Sequence, residues 1–448
     1  MDDFQFRPSF IQLPAFTTFN GEVRLPGSKS ITNRAFLIAA LARGTTRLHN
    51  LLKSDDTRYM GEALQKLGVR IDFSDDFSEA VVYGNGGPIG ASADNASGDA
   101  AGDAADGAVN LFLGNAGTAM RSLTAALTLG SGEFVLEGEE RMTERPIRDL
   151  VDALRSLGAD IEYRETEGYP PVKIRAAGLE GGDVEVNGNI SSQYLTALLI
   201  CAPYCKAPLH IHVKGELISA PYIELTMDVM RAFGIEVRHE NLRDFYVPQG
   251  VYVAPEDFMV EGDASSASYP LAAAAIAHGK VRVLGVGHKS SQGDVAFVLV
   301  LRKMGVKVEI GPDWIECDGT GCTLHGVNLN LNDIPDAAMT VAVLALFADG
   351  PTTISGIASW RVKETDRIAA MSAELRKVGA EVRESTDTIV INPPAQLNAA
   401  TIETYNDHRM AMCFSLVALG GVPIKILDPA CVNKTYPNFF EDFNKLAR

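Results

Sequence analysis

Six short strands along this chain each run into a polar turn and then a helix that is apolar on nearly every side. The turns are Gly27-Ser28-Lys29-Ser30, Gly114-Asn115-Ala116-Gly117, Asn189-Ile190-Ser191-Ser192-Gln193, Gly262-Asp263-Ala264-Ser265, Asp333-Ile334-Pro335-Asp336 and Asn406-Asp407-His408-Arg409. A helix that is apolar all round must be buried, and the runs from Ala35 to Leu41, Leu195 to Ile200 and Met339 to Leu344 have that character. A second helix in each unit is amphipathic. In one of them Ile147, Leu150, Val151, Leu154 and Leu157 mark one face, and Arg148, Asp149, Asp152 and Arg155 take the other. Five such helices end in a glycine that leads into a strand, at Gly68, Gly158, Gly234, Gly305 and Gly379; the sixth unit runs out in Phe439-Phe440-Glu441-Asp442-Phe443, as if truncated. The pattern predicts an α/β chain of two domains, each of three repeated βα units wound around their own buried inner helices.

That organisation has a chemical consequence. A helix N-terminus carries unpaired N–H groups and a positive dipole end, so it favours anions. Six buried N-termini loaded with polar side chains suit a strongly anionic small molecule. The length of 448 residues fits two or three domains. The net charge of −17 argues against an extended basic face, so no nucleic-acid partner is expected, and any local grouping of Lys and Arg becomes informative. The longest nearly apolar stretch, Ala337 to Ala348, is too short to cross a bilayer, and the N-terminus has neither a secretory nor a transit pattern. A cytoplasmic protein without membrane contact is therefore expected. Six cysteines without Cys-x-x-Cys spacing read as free, buried thiols, and the absence of zinc, EF-hand or His-Glu-x-x-His patterns leaves no metal expected. From Gly84 to Gly107 the sequence is Gly, Ala, Asp and Ser with almost nothing apolar, which predicts a mobile surface insertion at about 86–108.

The helix starts carry the candidate chemistry. Lys29, Ser30 and Arg34 gather two cations and a hydroxyl at one of them, although Ser28 and the missing upstream glycine exclude a Walker loop. Ser191, Ser192 and Gln193 supply neutral donors, more than capping alone requires. Gly117 admits close approach of the backbone to a ligand, or simply a tight turn. Trp360-Arg361-Val362-Lys363-Glu364-Thr365-Asp366-Arg367 packs five charges into one segment. Either it is a solvated helix face, or Lys363 and Arg367, four apart on one helical face, recognise an anion beside Glu364. Asp336, at the mouth of an apolar helix, is a cap or a base tuned by desolvation.

Together these segments resemble the 5-enolpyruvylshikimate-3-phosphate (EPSP) synthase family. The similarity runs from Leu25 to Pro437 through Leu-Pro-Gly-Ser-Lys-Ser, Leu-Gly-Asn-Ala-Gly-Thr-Ala-Met-Arg at 113–121, Glu-Arg-Pro-Ile at 144–147, Glu-Gly-Asp-Ala-Ser-Ser-Ala-Ser-Tyr at 261–269, Ile-Pro-Asp-Ala-Ala-Met-Thr at 334–340, the charged segment at 360–367 and Asp-His-Arg-Met-Ala-Met at 407–412. The resemblance implies an inside-out α/β barrel in each domain and an active site in the interdomain cleft. One domain would comprise residues 1–27 and 262–448, the other 28–261. It also implies transfer of the enolpyruvyl group of phosphoenolpyruvate to the 5-hydroxyl of shikimate 3-phosphate, without a cofactor, through a tetrahedral intermediate. Those two small molecules are the expected partners of a monomer.

Carried over by motif, the shikimate 3-phosphate set is Lys29, Ser30, Arg34, Ser191, Ser192, Gln193, Ser219, Tyr222, Asp336, Ser359 and Lys363. The phosphoenolpyruvate set is Lys29, Asn115, Gly117, Arg145, Gln193, Arg367, Arg409 and Lys434. Asp336 and Glu364 would move protons, with Lys29, His408 or Lys434 assisting the departing phosphate. Three positions depart from the family pattern: Ser122 stands where proline is usual, Ala220 where lysine is usual and Ser359 where asparagine is common. The alternatives are an enolpyruvyl transferase acting on UDP-N-acetylglucosamine, a non-catalytic anion-binding repeat scaffold, and an RNA-end phosphate cyclase, which the net charge disfavours.

Overall fold

The structure is a computed structural model that describes residues 8–90 and 107–448. Most of the insertion expected at about 86–108 therefore lies outside the described residues. The chain divides into two compact units, one of Gly27–Val260 and one of Met1–Pro26 with Glu261–Arg448.

The Gly27–Val260 unit holds helices α1 (Lys29–Leu41), α2 (Asp55–Lys66), α3 (Gly117–Thr128), α4 (Arg148–Ser156), α5 (Ser192–Cys201) and α6 (Pro221–Ala232). All twelve residues of α3 are buried, and α1 is buried from Ile31 onward. The apolar runs thus become inner helices, and α3 packs on both α1 and α5. By contrast, α4 buries only Leu150, Val151, Ala153 and Leu154, which leaves its charges to solvent. The other unit repeats the scheme with α7 (Ala264–Ile276), α8 (Phe297–Lys303), α9 (Ala338–Leu344), α10 (Arg367–Lys377), α11 (His408–Ser415) and α12 (Phe439–Leu446). Here α7, α9 and α11 are the fully buried members.

The glycines that set the repeat have a backbone reason. Gly68, Gly158, Gly234, Gly305 and Gly379 all have positive φ, from 84° to 109°, just past an outer helix. A side chain would crowd the backbone there, so glycine turns each helix into the next strand at no steric cost.

Among the described residues the strands form six separate small sheets, five of four strands and one of three. In the second repeat, Val109–Phe112 pairs parallel with Gly132–Glu137, which pairs antiparallel with Val172–Ala176, which in turn pairs with Asp160–Tyr163. The other four-stranded sheets keep this order. Two of them take their parallel edge strand from a distant part of the chain. Arg43–His49 receives Asp257–Met259 from the far end of its own unit, and Lys280–Leu284 receives Gly21–Arg24 from near the N-terminus. Each unit is thereby completed by its own circularly displaced strand. The sixth repeat is short in sequence, and Phe10–Leu13 fills the gap by pairing antiparallel with Ile424–Leu427.

Candidate active site

In the Gly27–Val260 unit three inner helix starts carry the polar groups. Lys29, at the first turn of α1, lies 3.3 Å from the buried carboxylate of Asp56. Arg34, one turn on, is buried and ties three helices together. Its Nε donates to Thr226 Oγ1 at 2.9 Å, Nη2 to Thr196 Oγ1 at 3.3 Å and to the Tyr222 carbonyl at 3.4 Å, and Nη1 to the Ser30 carbonyl at 2.9 Å. Burial lowers its pKa to about 10.

At the start of α3 two guanidinium groups converge on one glycine. A Cβ on Gly117 would sit 2.5 Å from Arg145 Nη2 and 2.9 Å from Arg121 Nη1, so no side chain fits unless both move. Arg145 Nη1 donates to the side chain and carbonyl of Asn115 at 2.8 and 3.0 Å. The neighbouring Pro146 carbonyl accepts from Arg121 Nη2 at 2.9 Å and from the Tyr194 hydroxyl at 2.7 Å. Ser191 caps α5 by accepting the Gln193 N–H, which leaves Ser192 and Gln193 on the first turn. Ser219 adopts a left-handed φ of 53° just before α6, with Tyr222 in that helix's first turn.

The other unit centres on Asp336. Arg367 Nη1 reaches Oδ1 at 2.8 Å, Arg409 Nη2 reaches Oδ2 at 2.9 Å, and Lys363 Nζ stands 3.6 Å from Oδ1. Burial alone would raise its pKa, but Arg409, Lys363 and Arg367 outweigh it and hold the carboxyl well below the ordinary range. The desolvation expected from sequence is therefore present but does not decide the sign, because three cations share the site.

Arg367 is itself fixed. Nε donates to Asp407 at 2.7 Å and Nη2 to Glu364 at 2.8 Å. Its burial opposes ionisation, yet Asp407, Glu364 and Asp336 raise its pKa and keep it charged. Arg409 also donates to the Tyr269 hydroxyl at 2.9 Å and to Ser265 Oγ at 3.0 Å.

The expectation that Lys363 and Arg367 share a helical face does not hold. Ser359 lies in a 3₁₀ turn, Ala358–Val362, that ends at Lys363; Asp366 then caps α10, whose first residue is Arg367. A turn separates the two cations, and both still reach Asp336. His408 opens α11, fully buried, with Nδ1 3.5 Å from Asp407 Oδ1. Lys434 ends the Pro429–Lys434 turn, which packs on α11. Sequence reasoning gave no role to Asp56, Asp407, Arg121 or Tyr269. Asp407 left a signal, as the acidic cap inside Asp-His-Arg; Asp56 left none beyond its place in a helix start.

The family model of EPSP synthase (3-phosphoshikimate 1-carboxyvinyltransferase) matches residues 15–443. The chain belongs to the EPSP synthase family. It is 56% identical to the 3-phosphoshikimate 1-carboxyvinyltransferase of Edwardsiella ictaluri (strain 93-146), over 98% of this chain and 99% of the other. It is 57% identical to the enzyme of that name from Serratia proteamaculans (strain 568), over 96% of each chain. The fold is similar to that of EPSP synthase from Acinetobacter baumannii, with a TM-score of 0.78, 26% identity and 98% of both chains covered. Of the positions expected to depart from the family pattern, Ser122 is buried inside α3 and Ala220 directly precedes α6.

Proposed function

We propose that the polar helix starts carried by the two inside-out α/β units act on one pair of anionic substrates. The chain is an enolpyruvyl transferase: it moves the enolpyruvyl group of phosphoenolpyruvate onto the 5-hydroxyl of shikimate 3-phosphate and releases phosphate. The observation that carries the residue assignment is Asp336, an ionised carboxylate gripped by Arg367, Arg409 and Lys363.

The 5-hydroxyl oxygen attacks C2 of phosphoenolpyruvate while C3 takes a proton, giving a tetrahedral ketal that still carries the phosphate. As the new C–O bond forms, the hydroxyl proton becomes strongly acidic, so even a carboxylate of low pKa accepts it. Asp336 has that role. Glu364, held by Arg367, donates the proton to C3 and takes one back when the C–O bond to phosphate breaks. Lys29, His408 and Lys434 assist the leaving phosphate. Arg367, Arg409, Arg145, Asn115 and Gly117 hold the carboxylate and phosphate of phosphoenolpyruvate. Lys29, Ser30, Arg34, Ser191, Ser192, Gln193, Ser219, Tyr222, Ser359 and Lys363 hold shikimate 3-phosphate. Cations aimed at developing charge in a site that excludes water act more strongly than they do in solution.

No helix among the described residues is long and apolar enough to cross a membrane. The small charged substrates of this reading suit the cytoplasm, and one chain carries every residue of the proposed site, which suits a monomer. The test is phosphate release from phosphoenolpyruvate with each of two acceptors. Shikimate 3-phosphate supports turnover under this reading, whereas turnover with UDP-N-acetylglucosamine instead would overturn it.

A further inference from the structure

Glu374 is a fully buried carboxylate that no step above employs. It lies on α10, seven residues beyond Arg367, which places both on one face two turns apart. Glu374 Oε2 accepts the backbone N–H of Glu403 at 3.2 Å, and Oε1 accepts the Tyr405 hydroxyl at 2.8 Å. Lys377 Nζ, 2.8 Å away, balances its charge.

The segment it grips is strained. Tyr405 and Asn406 have φ of 54° and 52°, in the left-handed region. Asparagine tolerates that region; a tyrosine enters it only where its surroundings impose it. The turn is closed by the Asp407 N–H donating to the Thr404 carbonyl at 2.8 Å. Burial of the Tyr405 ring does not explain the conformation, because the residue is 37% exposed. Its hydroxyl bond to Glu374 ties it down.

The next three residues are Asp407, His408 and Arg409. Asp407 takes two bonds from Arg367 and one from the Arg409 N–H, at 2.9 Å. One face of α10 therefore grips the segment at Glu403, Tyr405 and Asp407 in succession.

We propose that Glu374 and Tyr405 are positioning residues for substrate: they hold the left-handed turn in the phase that aims Arg409 at phosphoenolpyruvate. The inference rests on the reaction assigned above. A plain ion pair between buried Glu374 and exposed Lys377 would stabilise the fold without favouring one substrate. The clamp acts on the start of α11, which carries Arg409, one of the cations assigned to phosphoenolpyruvate.

The test compares wild type, Glu374→Gln and Tyr405→Phe in steady-state assays with each substrate varied, alongside melting temperature. Loss of one bond to a charged group, passed on to Arg409, should raise KM for phosphoenolpyruvate about five- to tenfold in both variants. KM for shikimate 3-phosphate should stay within about twofold. Tyr405→Phe removes a single hydroxyl from a partly exposed ring, so it carries the test even where Glu374→Gln fails to fold. Unchanged KM values, or equal rises for both substrates with a lower melting temperature, would overturn the clamp while leaving the reaction intact. An inactive wild type would overturn the reaction, and with it the substrate named for the clamp.

Discussion

Asp336 and Arg409 meet at 2.9 Å, from Oδ2 to Nη2, while the other oxygen of the same carboxylate takes Arg367 at 2.8 Å. One acidic side chain therefore joins the two guanidinium groups assigned to phosphoenolpyruvate. Replacing it changes the reacting proton and the alignment of both cations together. Asp336→Asn keeps the shape and removes the charge, and is expected to lower kcat by about 10²–10⁴-fold. Calorimetry should still detect shikimate 3-phosphate binding, and a rise in KM with unchanged kcat would make Asp336 a binding residue only.

The same pair fixes a pH dependence. A carboxyl held below its unfolded pKa contributes stability that is fully present above the unfolded value, about 3.9 for aspartate, and is lost as pH falls through the folded value. The stability difference between wild type and Asp336→Asn, from urea denaturation, should stay constant from neutral pH to about pH 4 and shrink only below it. A difference that instead moved in favour of wild type as pH fell from 7 to 5 would mean a raised pKa.

Gly117→Ala should damage phosphoenolpyruvate binding more than folding. The added methyl would lie 2.5 Å from Arg145 Nη2 and 2.9 Å from Arg121 Nη1, the far ends of flexible side chains that can move. Their displacement should raise KM for phosphoenolpyruvate about tenfold or more, with melting temperature little changed. Equal effects on both substrates would separate Gly117 from that subsite.

Arg34 ties α1 to α5 and α6 through Thr196, Thr226 and the Tyr222 carbonyl, and is 3% exposed. Arg34→Ala is expected to cost about 2–4 kcal/mol of stability without substrate, from lost hydrogen bonds and the cavity left behind. Urea denaturation of the free protein measures it. A cost under about 0.5 kcal/mol would leave Arg34 with a ligand role alone.

Much of this was legible in the sequence because it rests on local rules. Inner helices such as α1 show as runs with no polar face, here Ala35 to Leu41, and the repeat glycines show because a positive φ is required after each outer helix. The N-termini of the inner helices likewise mark themselves by Lys29, Ser191 and Asp407. What escaped depends on distant parts of the chain. Phe10–Leu13 reads as an ordinary short strand, and nothing local says that it completes a sheet with Ile424–Leu427. The sign of the Asp336 shift needed Arg367 and Arg409, which follow 31 and 73 residues later. The helical spacing of Lys363 and Arg367 misled for a local reason: Asp366 caps a new helix and breaks the register between them.

The central claim is the transfer itself, and ³¹P NMR of the enzyme with equal phosphoenolpyruvate and shikimate 3-phosphate tests it most directly. The account predicts that the phosphoenolpyruvate resonance is replaced one for one by inorganic phosphate, while the sugar-like phosphate persists as the ester of a new enolpyruvyl ether. Phosphate released from shikimate 3-phosphate, or no loss of phosphoenolpyruvate, would contradict it.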